Sequence, residues 1–248
     1  MDGMTALSLP SDCRDDAVEA CDPFAFEAVI DQICRMQWET LDADEVIQVA
    51  KAYYYFSIQF RENLEIACRL YPDDQLLGKL REGECDTDNL SPWPGVAEIR
   101  EKLNHDEFMR RLLSFQTVDR DDYLTFLGQA YLNRVRSLDD FTRATSIASY
   151  EDGGLSRVFL SILRAPDWQG TGPRAFKFFL EEHIRFDTED DGGHGALARH
   201  LRPDDDILPL WAAFRDMLVA AVPSLAQTPA AQPRAARRQD HLVLEASE

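Results

Sequence analysis

The amino-acid sequence predicts an all-α protein, and three observations predict it. Apolar residues recur at intervals of three and four through most of the chain. No stretch alternates with period two for long enough to make a sheet. The strongest breaks, at Pro72, at Ser91-Pro-Trp-Pro-Gly95 and at the glycine pairs 153–154 and 192–193, separate periodic stretches. At 248 residues the chain is long enough for one large domain with a substantial core.

The elements follow in order. Residues 1–22 are polar and acidic without periodicity and read as a flexible arm. Phe24–Trp38 carries a helical stripe of Phe26, Val29, Ile30 and Ile33. Asp42 or Asp44 can cap the next helix with Glu45 in its first turn, and that helix runs to about Leu70, where Pro72 ends it. Gln75–Asn89 is expected to be helical and carries Glu82 and Glu84; Val96–Ser114 is expected to follow as a helix carrying His105. Asp121–Arg136 and Leu138–Tyr150 are two further helices, the second ending near Glu151-Asp152-Gly153-Gly154. Leu155–Leu163, Pro173–Asp187 and Asp206–Val222 complete the set, with Asp204 to Asp206 capping the last. From Ser224 the composition shifts to Ala, Pro, Gln and Arg, which predicts a disordered tail over 224–248 and a folded domain over 23–223.

Composition narrows the function classes. A net charge of -19 argues against a surface for nucleic-acid phosphates, which needs a basic patch. No apolar run is long enough to suggest a membrane span, and the acidic start lacks the basic and apolar regions of a signal peptide. The five cysteines, Cys13, Cys21, Cys34, Cys68 and Cys85, are odd in number and form no CxxC pair, so they read as reduced thiols. A soluble, cytoplasmic protein is the expectation.

The stretch Phe178–Leu201 carries the chemistry. His183 and Asp187 are i and i+4, hence on one helix face. His194 lies eleven residues past His183, about 16 Å further along an unbroken helix, too far for one ion. The run Asp190-Asp191-Gly192-Gly193 is a poor helix interior and an easy place to fold back, which would return His194 to its partners. His200 competes with His194 for this role. Glu84 and His105 flank the 91–95 break, and Glu151 precedes a Gly-Gly pair. Glu82 is the alternative to Glu84, facing another side of its helix, and Asp152 is the alternative to Glu151. Carboxylates and imidazoles projecting inward from several helices suit a dinuclear site of hard iron or manganese, with neutral histidines anchoring each ion.

The order Glu84, His105, Glu151, His183-x3-Asp187, His194 resembles that of the haem-oxygenase-like di-iron oxidases and oxygenases, over roughly residues 25–222. The spacings from Glu84 to His105 and from Asp187 to His194 are wider than is usual there, which insertions at 86–95 and 188–193 would explain. The resemblance implies a haem-oxygenase-like seven-helix bundle and a metal set of Glu84, His105, Glu151, His183, Asp187 and His194. It implies two Fe(II), with Mn as an alternative, O2 as co-substrate and an external electron donor. The implied reaction is oxidation of a small aliphatic substrate, a free amino acid first, by desaturation, hydroxylation, C–C cleavage or a cyclisation such as azetidine formation, in natural-product biosynthesis. A homodimer is among the assemblies it allows.

Plainer readings stand beside these. His183 and Asp187 could be a surface helix pair, and Arg61, Glu62 and Glu65 read as a solvated face, with Glu62 or Glu65 as an extra ligand in the minority reading. Arg174, Lys177 and Arg185 are candidates for a substrate carboxylate, although basic residues near acidic ones more often just balance charge. Two other function classes share the expected fold: metal-free enzymes of the thiaminase-like or pyrroloquinoline-quinone-synthase-like kind, and a non-catalytic helical scaffold.

Overall fold

The computed structural model describes residues 24–226, apart from 87, 90 and 188–193. The expected arm and nearly all of the expected tail therefore lie outside the described residues. What is described is predominantly helical. The helices are α1 Ala25–Cys34, α2 Ala43–Leu70, α3 Gln75–Asp86, α4 His105–Leu113, α5 Asp121–Arg136, α6 Asp140–Ser149, α7 Leu155–Ile162, α8 Thr171–Asp187, α9 His194–Ala198 and α10 Leu208–Ala221.

Helix α2 is the axis of the fold. Its start is a capping box: Asp42 Oδ1 accepts from the Glu45 amide at 2.9 Å, and Glu45 Oε2 accepts from the Asp42 amide at 3.2 Å. The Asp42→Ala variant should lose about 1 kcal/mol, measurable in a chemical unfolding curve. Along its length α2 is buried on nearly every side, from Val46 to Ala67, as expected of a helix enclosed by others. Helices α3, α4, α5, α6, α8 and α10 pack around it, and α10 also packs against α1 and α5. The core is strongly aromatic. Phe56 meets Phe214 at 4.5 Å between ring centroids, and Tyr150 meets Trp211 at 5.1 Å.

Three expected helices are shorter than their apolar stripes suggested. Phe24–Trp38 stops at Cys34, Gln75–Asn89 stops at Asp86, and Val96–Ser114 is helical only from His105. Residues 88–89 instead pair antiparallel with 101–102, Asp88 opposite Lys102. Arg100 takes a left-handed φ of 65°, which no helix accommodates. Asn104 then opens α4 by accepting from the Glu107 amide at 2.9 Å. The stripe misled because Val96 and Leu103 are buried from a turn, while Ile99 between them is 76% exposed. At the far end a single 3-10 turn, Pro223–Ala226, extends past the expected boundary at 223 and buries Leu225.

Between α6 and α7 the chain does not simply end one helix and start another. Tyr150–Gly154 winds as a π turn with two residues out of helical geometry, Asp152 (ψ 47°) and Gly153 (φ 91°). Such wide turns inside helices recur at functional sites.

Candidate metal centre

Helices α3, α4, α8 and α9 and the π turn bring five side chains to one point in the bundle. Glu84 lies in the last turn of α3, and His105 is the first residue of α4. Glu151 sits in the π turn, His183 in the second half of α8, and His194 is the first residue of α9. Four of the five stand at helix ends or at a kink, where a side chain is not committed to a helix-packing ridge.

Glu84 holds the arrangement together. It is 4% exposed, and its two oxygens face different partners: Oε2 is 2.7 Å from His105 Nδ1, and Oε1 is 2.5 Å from His194 Nδ1. Glu151, 5% exposed, reaches His194 Nδ1 at 3.5 Å through Oε2. Burial by itself would raise the Glu84 carboxyl, but His105 and His194 outweigh it and hold that carboxyl well below the usual carboxylate range.

His183 is oriented from behind. Its Nδ1 is 2.7 Å from the carbonyl oxygen of Phe179, which can only accept, so Nδ1 carries the proton and Nε2 presents its lone pair. That Nε2 is 3.2 Å from both ring nitrogens of His105. Phe179 lies against the His183 ring at 4.0 Å between centroids, and Phe159 meets it edge-on. Burial, then the neighbouring His105, push the imidazole down to about 3, so His183 is neutral at ordinary pH.

The donor atoms form two groups, Glu84/His105/His183 and Glu84/Glu151/His194, with the atoms of each within 4.8 Å of one another. Each could hold a metal ion, and Glu84 belongs to both. Imidazole nitrogen together with carboxylate oxygen suits a first-row divalent ion. Two carboxylates withdrawn from water in the core are costly without nearby cationic charge or hydrogen bonds. The donor set therefore suits a bound divalent ion.

Two glycines permit the close approach. A Cβ on Gly83 would stand 3.1 Å from His194 Nε2, and one on Gly195 would stand 2.8 Å from the carbonyl oxygen of Glu151. Beside the donors is a small cavity lined by Tyr53, Ser57 and Phe60 of α2 and by Leu155 and Phe159 of α7.

The side chains of the candidates named from the sequence, Asp187 apart, are described. Glu84, His105, Glu151, His183 and His194 converge. Asp187 is the last residue of α8, and its side chain lies outside the described residues, as does the expected break at 188–193. Of the alternatives, Glu82 is exposed, His200 bonds Asp74 at 2.5 Å on the surface, and Asp152 pairs with Arg199 at 2.8 Å. Glu62 is engaged by Arg136 and Arg143, and Glu65 by Arg61, so neither joins the cluster. The cations offered for a substrate carboxylate sit on the outer face of α8. There Arg174 donates to the Gly170 carbonyl, Lys177 pairs with Glu181 and Arg185 with Glu182; none lines the cavity. Cys85 borders the cluster, its thiol pushed up to about 11 by burial and then by Glu84, and so unreactive. The sequence analysis passed over Ser57, Gly83 and Gly195. A glycine inside a helix, one residue from a candidate ligand, was the available signal.

Comparison with protein-family models, with curated proteins and with solved structures returned no match for this chain.

Proposed function

We propose that the protein is an O2-dependent non-haem di-iron oxidase or oxygenase on a haem-oxygenase-like bundle. One ion would be held by Glu84, His105 and His183, the other by Glu84, Glu151 and His194. The sequence pattern would add Asp187, one turn beyond His183, whose side chain lies outside the described residues. The observation that carries the proposal is the division of Glu84: its two oxygens face two separate donor groups, so this one carboxylate could serve both. Bound there, ferrous ions would supply reduction of O2 and removal of hydrogen from an unactivated C–H or N–H bond; manganese suits the same ligands.

The chain's own residues have narrower tasks. Phe179 fixes the tautomer of His183 through its carbonyl, so the free nitrogen faces the cluster. Phe60, Leu155 and Phe159 keep the adjoining cavity apolar, while Tyr53 and Ser57 bring hydroxyl groups to its wall. The substrate class proposed, a small free amino acid in a natural-product pathway, is the one that the sequence resemblance implies. An external donor would supply electrons.

The test begins with anaerobic ferrous titration, for which two equivalents per chain are expected. Iron-loaded protein, reductant and air are then incubated with a panel of aliphatic amino acids and fatty acids. Mass spectrometry should show one of them losing two hydrogens, gaining oxygen or being cleaved. Failure to bind iron would remove the proposal.

A further inference from the structure

A line of polar side chains crosses the apolar core between α2 and α6, outside the metal centre. Gln59, Asn63, Ser146 and Tyr150 are 0% exposed, and Arg143 is 7% exposed. Asn63 Nδ2 donates to Ser146 Oγ at 3.0 Å, and Arg143 Nε donates to Asn63 Oδ1 at 2.8 Å. Arg143 Nη2 also reaches Glu62 at 3.2 Å, which Arg136 holds from the solvent side. Further along α2, Gln59 Oε1 accepts from the Tyr131 hydroxyl at 2.7 Å, and Gln59 Nε2 donates to the Tyr150 hydroxyl at 3.4 Å. Tyr150 is bonded to Ser146 as well.

Such a network is not needed for stability, because apolar side chains of similar volume often fill the same space without loss. Nor is it built to conduct protons, since arginine and the amides of Asn and Gln do not readily relay them. What a fully satisfied buried network can supply is uniqueness of packing. Here the packing that matters is the register of α6 on α2, because the residue after Tyr150 is Glu151. Slipping that register by one residue would rotate α6 by about 100° and strand Asn63, Gln59 and Arg143 without partners in the core.

We infer that Gln59, Asn63 and Arg143 are positioning residues for Glu151. They lock α6 onto α2 in one register, so that the π turn delivers the Glu151 carboxylate to Glu84 and His194. Part of the test rests on the two-ion proposal, so it has a second readout that needs no metal.

The test is the double variant Asn63→Leu/Arg143→Met in the full chain, which removes both partners of the buried bond together. Its melting temperature should equal or exceed that of the unaltered protein. Amide exchange over 150–155 in metal-free protein should quicken several-fold. In ferrous titration the first equivalent should bind as before and the second about 10-fold or more weaker. Unchanged exchange over 150–155 overturns the inference whatever the titration shows. If the unaltered protein binds fewer than two ions, the two-ion proposal fails, while the exchange result still decides the positioning role. Should the double variant not fold, Gln59→Met, which cuts only the ties to Tyr131 and Tyr150, is read by the same two measurements.

Discussion

Replacing Glu84 with glutamine is expected, under the two-ion proposal, to weaken metal binding at both donor groups at once. The substitution keeps the size of the side chain but takes away the charge that His105 and His194 face from opposite oxygens. Removing even a partner that only orients a ligand commonly costs about 10- to 100-fold in metal affinity. Loss of a shared ligand should therefore weaken each equivalent by at least about 100-fold, as read by anaerobic ferrous titration. Glu82→Gln, two residues away on the exposed face of α3, should bind like the unaltered protein. Retention of one equivalent at full affinity in the Glu84 variant would mean that the carboxylate serves only one group. By contrast, His183→Ala strikes one group alone and should leave the other equivalent in place.

The second large effect is expected at Gly154. A Cβ there would stand 2.1 Å from the carbonyl oxygen of Ser149 and 3.0 Å from the Trp211 ring, contacts that no small side-chain movement relieves. The first is backbone, and the indole is held by its own bond to Ser149 Oγ at 3.0 Å. Gly154→Ala should thus destabilise the fold by about 1–3 kcal/mol. For a domain of this size, each kcal/mol lowers the melting temperature by about 2–4 °C. Gly153→Ala should also destabilise, for another reason: its Cβ has open space, but its φ of 91° lies where L-residues are strained. A Gly154→Ala variant that melts like the unaltered protein would show that the π turn can unwind at no cost.

Much of the molecule was legible beforehand, and the legible part was local. The stripe of α2, the cap at Asp42 and the stop at Pro72 follow from backbone hydrogen bonding and side-chain periodicity within a few residues. The five converging side chains were all among the candidates, because imidazoles are scarce in this chain and the carboxylates beside chain breaks stand out. The errors came where burial and helicity part company. Val96, Ile99 and Leu103 have helical spacing, yet a turn and a two-residue bridge present the outer two to the core and leave Ile99 in solvent. Choosing Glu84 over Glu82, or His194 over His200, needed more than spacing, since each pair offers the same chemistry.

By itself the sequence determined that the described chain is helical, where most of its helices lie, and which side chains could bind metal. These depend on periodicity, capping and residue chemistry, which act over one or two turns. Only the tertiary structure decided that one carboxylate stands between two donor groups and that a wide turn carries Glu151 toward His194. Those facts depend on how α3, α4, α8 and α9 pack around α2, and contacts between residues about a hundred positions apart leave no local periodic trace.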